Sequence, residues 1–183
     1  GRAARHVSGE AHIDADRALA LATDYFGDFE TGPGPPPVVA PKAALAGETR
    51  LVLEDRVELS RLYLAWHSPA LFAEDDAELD LVSEVLGGGK TSRLYRSLVH
   101  EQRIATEIAA SQGSRELGSF FQIVATAAPG RSLAEVERAI ATELTRFLEN
   151  GPTADELERC LAQAEAHFLH RLQTVGGFGG KSD

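Results

Sequence analysis

The sequence predicts an α+β fold, a mostly antiparallel sheet with helices packed on one face. Two observations lead there: strand patterns come in adjacent pairs, and helix patterns come in pairs. At 183 residues, with 43% hydrophobic and 25% charged residues, there is material for one well-buried domain, or for one domain plus a short appended piece.

The elements follow in order. A strand end near Val7, a turn at Ser8-Gly9 and a helix up to about Phe29 open the chain. In that helix Ala18, Leu21, Ala22 and Tyr25 or Phe26 recur at helical spacing, and Gly27 stands at the stop. The stretch from Gly32 to Pro41, GPGPPPVVAP, has no periodicity, and its prolines favour a stiff, extended linker. This divides the chain into 1–31 (the end of a preceding lobe), 32–47 (a proline-rich linker) and 48–183 (a second α/β lobe with a glycine-rich exit).

Strands are expected over Thr49–Glu54 and Leu59–Trp66. In the second, Leu62, Leu64 and Trp66 share one face while Arg61, Tyr63 and His67 share the other. A helix over Ala73–Leu86 opens on Glu74, Asp75 and Asp76, charges suited to its positive end, and buries Leu81, Val82, Val85 and Leu86. A helix over Thr91–Gln102 turns Leu94, Tyr95, Leu98 and Val99 inward. Strands near Ala105–Gln112 and Gly118–Ala128 are joined through Gly113-Ser114. Two long helices close the pattern, one capped by Ser132 with Glu135 and one by Thr153 with Glu156. Their expected buried stripes are Leu133, Val136, Ile140, Leu144, Phe147 and Leu148, and then Leu157, Leu161, Ala164, Phe168, Leu172 and Val175. Gly176 to Lys181 reads as a flexible exit.

Composition narrows function. A formal charge of −10 argues against nucleic acid and anionic membranes as partners. No apolar run approaches the roughly 20 residues of a membrane helix. The single Cys160 sits in an apolar helical pattern, as a buried inert thiol does, and leaves the redox compartment open. There is no methionine, so the chain reads as an excised piece of a longer protein.

The chemical motifs mostly fail on context. Gly87-Gly88-Gly89-Lys90-Thr91 invites a phosphate-loop reading, but the first glycine of that pattern would fall on Glu84, and a helix precedes it where a strand is required. His167 and His170 share a helix face without a third ligand, and neither HExxH nor HxxEH occurs. His67 and His100 stand alone, and His6 and His12 lie in a weakly patterned segment. No serine lies in a GxSxG elbow. No residue is assigned a catalytic or metal-binding role.

The run LGGGKTSRLYRSLVHEQRIA, Leu86 to Ala105, resembles the second-lobe signature of the pitrilysin and insulinase class of zinc peptidases, which includes the mitochondrial processing peptidases. Val7-Ser8-Gly9 with Ala18 and Tyr25-Phe26-Gly27-Asp28 is similar to the segment that closes that class's first lobe. Gly32 to Pro41 resembles the interlobe connector, Gly151-Pro152-Thr153 with Glu156-Leu157 the start of a late helix, and Gly176 to Asp183 the exit of a first half.

The resemblance implies halves built of two similar lobes, closing as a dimer of halves around an enclosed peptide-binding chamber. Zinc belongs to the inverted-motif lobe of the parent, so this fragment carries no cofactor and is expected to be inactive alone. Its expected partners are the zinc-bearing lobe of the same chain and a peptide substrate. Gly87, Gly88 and Gly89 match a glycine-rich loop that contacts substrate in the processing peptidases, and a simple turn is the competing reading. The places matching the class's substrate-binding Arg and Tyr hold Val99 and Thr106, which fits the lobe paired directly with the zinc lobe. The resemblance to long bacterial members implies a periplasmic parent. The alternatives are a non-catalytic scaffold or partner subunit of the same fold, and an unrelated α+β binding module.

Overall fold

The structure, a computed structural model, describes residues 14–29, 32–34, 36, 38 and 45–173. The expected Val7 strand end, the Ser8-Gly9 turn, His6, His12, Val175 and the Gly176–Lys181 exit lie outside the described residues. The chain falls into two compact units, Gly1–Val38 and Val39–Asp183.

In the first unit, α1 (Ala15–Phe26) begins where Asp14 accepts from the amides of Asp16 and Arg17, both at 3.1 Å, satisfying two of the donors a helix start leaves open. It ends at Gly27, as its glycine predicts.

Among its described residues the second unit holds one antiparallel sheet of three strands, β1 (Arg61–Ser68), β2 (Ala105–Gly113) and β3 (Ser119–Ala127), in the order β1-β3-β2. The register opposes Leu62, Leu64 and Trp66 to Ala125, Ile123 and Phe121, so these share one face, as their alternation predicts. Trp66 and Phe121 bring their rings to 6.3 Å between centroids. On β2, Ile108 and Ala110 join that face. A bulge between Ala105 and Glu107 sets the register there.

The helices are α2 (Asp76–Gly87), a π-helix (Tyr95–Glu101), α3 (Leu133–Asn150) and α4 (Ala154–Gln173). Leu86, Leu94, Leu98, Ile104, Ile108, Phe121, Ile123, Val136 and Ile140 form the core between helices and sheet. The α+β class and its one-sided helix layer are therefore as the sequence predicts.

Four expectations need correction. Thr49–Glu54 is not a strand; it carries no regular structure and its side chains are exposed. The helix expected over Thr91–Gln102 is wound as a π-helix from Tyr95, with Gln102 N–H donating to Ser97 O at 2.9 Å, five residues back. Its inward residues are nonetheless as expected, with Leu94 and Leu98 fully buried. Leu148, expected inward on α3, is exposed, since the inward face of α3 runs through Val136, Ile140, Glu143 and Phe147 and Leu148 lies off it. Most of the α4 stripe is exposed: Leu161, Ala164, Phe168 and Leu172 follow Cys160, the one fully buried residue among those described in α4, and Leu157 borders a cavity with Val82 and Phe147.

Candidate functional site

The glycine turn comes first. Gly87 is the last residue of α2 and is buried; a Cβ there would stand 2.1 Å from the amide nitrogen of Ala110 on β2. Its missing side chain is what lets the helix end touch the strand backbone. Gly88 follows, donating its N–H to Glu84 O at 2.9 Å and closing the helix. Gly89 has φ +81°, a left-handed conformation that favours glycine, with open space around it. Ser92 then turns the chain back, its hydroxyl donating to Gly89 O at 2.7 Å. Of the three predicted site residues, Gly89 is exposed, Gly88 half-buried, and Gly87 sealed inside.

Next to the turn stands Arg93. Its Nε and Nη2 donate to the two carboxylate oxygens of Glu156 at 2.8 and 2.6 Å, and Nη2 also reaches Gly151 O at 2.8 Å. The guanidinium lies 5.2 Å from the centroid of the Phe147 ring. A fork-to-fork pair of this kind is strong and directional. Glu156 also accepts from the amide and hydroxyl of Thr153, while Thr153 Oγ1 accepts from the Glu156 amide, completing the predicted capping box. The Arg93 guanidinium is the main cause that holds the Glu156 carboxyl down to about 2, with burial opposing. Two motifs 63 residues apart, Ser-Arg-Leu-Tyr and Gly-Pro-Thr-x-x-Glu, are thus one knot. Spacing in the sequence carried no sign of that link.

A second knot was also missed. Asp76, read from the sequence as a helix-end charge, is buried and receives Ser114 Oγ at 2.6 Å, Gln112 Nε2 at 3.1 Å and the Phe72 amide at 3.1 Å. These bonds, led by Ser114, hold its carboxyl below the usual carboxylate range. They fasten the β1–α2 loop to the end of β2, with Phe72 at φ +62°.

The third feature is the bare face of the sheet. Opposite the helix layer lie Tyr63, Ala65 and His67 of β1, Phe120, Gln122 and Val124 of β3, and Ala109, Ser111 and Gly113 of β2. The Phe120 ring lies over Gly113, where a Cβ would stand 2.8 Å from it. Gln122 donates to Ser111 Oγ at 3.1 Å. Small side chains in the middle and aromatic ones around them make a surface whose charged groups, Arg61 and Glu107, pair at 3.8 Å toward one end.

Among the described residues no three His, Cys, Asp or Glu side chains gather closely enough to hold a metal ion, so the residues present do not fit zinc. Cys160 is buried, and burial raises its thiol, which makes it a poor nucleophile. No helix among the described residues is long and apolar enough to cross a membrane.

The chain is 26% identical over 132 residues to the zinc protease PqqE of Helicobacter pylori, an alignment covering 72% of this chain and 30% of that protein. A solved protease structure from Helicobacter pylori superposes with a TM-score of 0.72 at 23% identity, covering 88% of this chain and 40% of that one. The M16 inactive domain from Pseudomonas fluorescens superposes with a TM-score of 0.53 at 21% identity, covering 60% of this chain and 26% of that one. The chain therefore spans well under half the length of these relatives. The profile described as "Peptidase M16 inactive domain" matches residues 11–164, which is most of the chain. The zinc-peptidase resemblance carried by Leu86–Ala105 is thereby upheld, and the chain belongs to the inactive-domain family of the M16 peptidases.

Proposed function

We propose that this chain is the non-catalytic lobe of a zinc metalloendopeptidase, walling an enclosed peptide-binding chamber with the bare face of its sheet. The observation that carries the reading is the one-sided cover of that sheet. Helices seal the Leu64–Ile123–Ile108 face, while no described helix of the second unit covers Tyr63, Ala65, Ala109 and Ser111. A sheet face that is neither sealed nor strongly charged suits contact with extended polypeptide. Zinc and the water it activates belong to the other lobe; this lobe shapes what enters. Gly88 and Gly89 lie where backbone is accessible and contribute substrate contact through it, with Gly87 fixing their position.

The test is reassembly. The chain alone should bind no zinc and cleave no peptide. Stoichiometric zinc in it, or cleavage that a chelator abolishes, would overturn the proposal. In the whole parent protein, Ala65→Trp and Ala109→Trp should lower kcat/KM for an unstructured peptide by roughly tenfold or more, an effect of the size expected from blocking substrate positioning. Zinc content should be unchanged. A parent that holds no zinc and cleaves nothing would move the reading to the scaffold of the same fold.

A further inference from the structure

The segment Thr49–Glu54, TRLVLE, reads as a strand in the sequence and is none in the structure. Leu51, Val52 and Leu53 are 78, 77 and 81% exposed, three consecutive aliphatic side chains in water. Their backbone groups make no hydrogen bond to any other described residue. The segment is nevertheless fastened at one point. Arg50 donates from Nη1 and Nη2 to the two carboxylate oxygens of Glu137 on α3, at 3.0 and 2.7 Å, and its Nε and Nη2 reach Glu48. Free donors and acceptors beside exposed aliphatics form a template for pairing with another strand, and proteins keep such templates covered.

We infer that Arg50–Glu54 is a donated β-strand, completing the edge of the sheet in the zinc-bearing lobe of the same protein. The inference rests on the lobe reading above, and three observations choose that recipient. The segment is the first described stretch after the proline-rich linker, and consecutive elements tend to be neighbours in space. This chain accounts for 40% of the similar Helicobacter pylori protease structure, which leaves ample chain for a second sheet. As a strand, alternation sets Leu51 and Leu53 on one face and Arg50, Val52 and Glu54 on the other. The Arg50 face is already tied to α3, so the leucine face is the one left for a foreign core.

Hydrogen exchange in the whole parent protein tests this, read beside its zinc content and peptide cleavage. Amides 51–54 should exchange at least about 100-fold more slowly in the parent than in the separate 183-residue chain, the protection a paired strand confers. Val52→Pro removes one ladder donor. It should abolish that protection and increase protease nicking of the linker about tenfold, while the separate variant chain keeps its far-UV spectrum and melting temperature. Val52→Thr, which keeps the donor, should behave as wild type.

Equal exchange at 51–54 in the parent and in the separate chain, with zinc and cleavage intact, overturns the donated strand and leaves the lobe reading standing. A parent without zinc or cleavage overturns both. Concentration-dependent dimers of the separate chain, protected at 51–54, would make the recipient a second copy and overturn the inference as stated.

Discussion

Helices α3 and α4 follow one another, start from similar caps and carry similar apolar stripes, yet they end differently. In α3, Val136 and Ile140 are fully buried against the core. In α4 Cys160 is buried and the Arg93–Glu156 knot fastens the first turn, while farther along Leu161 and Phe168 are 50 and 60% exposed. Amphipathic spacing says that a face is made to be covered. It does not say that the cover lies in the same chain.

The largest effect should come from breaking the buried helix. Ile140→Ala empties a fully buried site and should cost about 3 kcal/mol in urea unfolding, whereas Leu161→Ala or Phe168→Ala should cost less than about 0.5 kcal/mol in this chain. A large loss at Leu161 would show that α4 has a cover here and remove the contrast. Next is Gly87→Ala, whose methyl has no room against Ala110 N and should cost on the order of 2–3 kcal/mol, while Gly89→Ala should cost about 1 kcal/mol through its positive φ. Similar costs at both positions would mean that close approach to β2 is not what fixes the turn.

Arg93→Ala should cost about 2 kcal/mol by thermal melt and speed exchange selectively in the first turns of α4, leaving α3 untouched. The same pair makes stability depend on pH. The Glu156 carboxyl is lowered from 4.5 to about 2 in the folded chain, so its stabilising contribution is complete above pH 4.5 and is lost as pH falls toward 2. Stability titrated from pH 6 to 2 should show a decline on the order of 2 kcal/mol that Glu156→Gln flattens. An unchanged slope in that variant would assign the decline to other carboxylates.

Much of the fold was legible because period-2 and helical patterns report which side chains share a face. Leu62, Leu64 and Trp66 do lie together, and Leu94 and Leu98 do turn inward. The site was legible only in pieces. Gly87, Gly88 and Gly89 were visible as a turn, but the different fates of the three depend on how near β2 comes. Arg93 and Glu156 were each within a motif, and nothing in either motif points to the other. Asp76 looked like any acid at a helix start until β2 supplied Gln112 and Ser114.

Alone, the sequence determined the α+β class, the positions of the surviving elements, the absence of a catalytic motif in these 183 residues and the peptidase relationship. All of these rest on local spacing, which the geometry of helix and strand converts directly into shared faces. The tertiary structure alone decided that Thr49–Glu54 leaves the sheet, that Tyr95–Glu101 winds wide, and that α4 stays half uncovered. The physical reason is the same in each case. Whether an apolar face or a backbone amide finds a partner depends on residues distant in sequence, and local pattern holds no record of them.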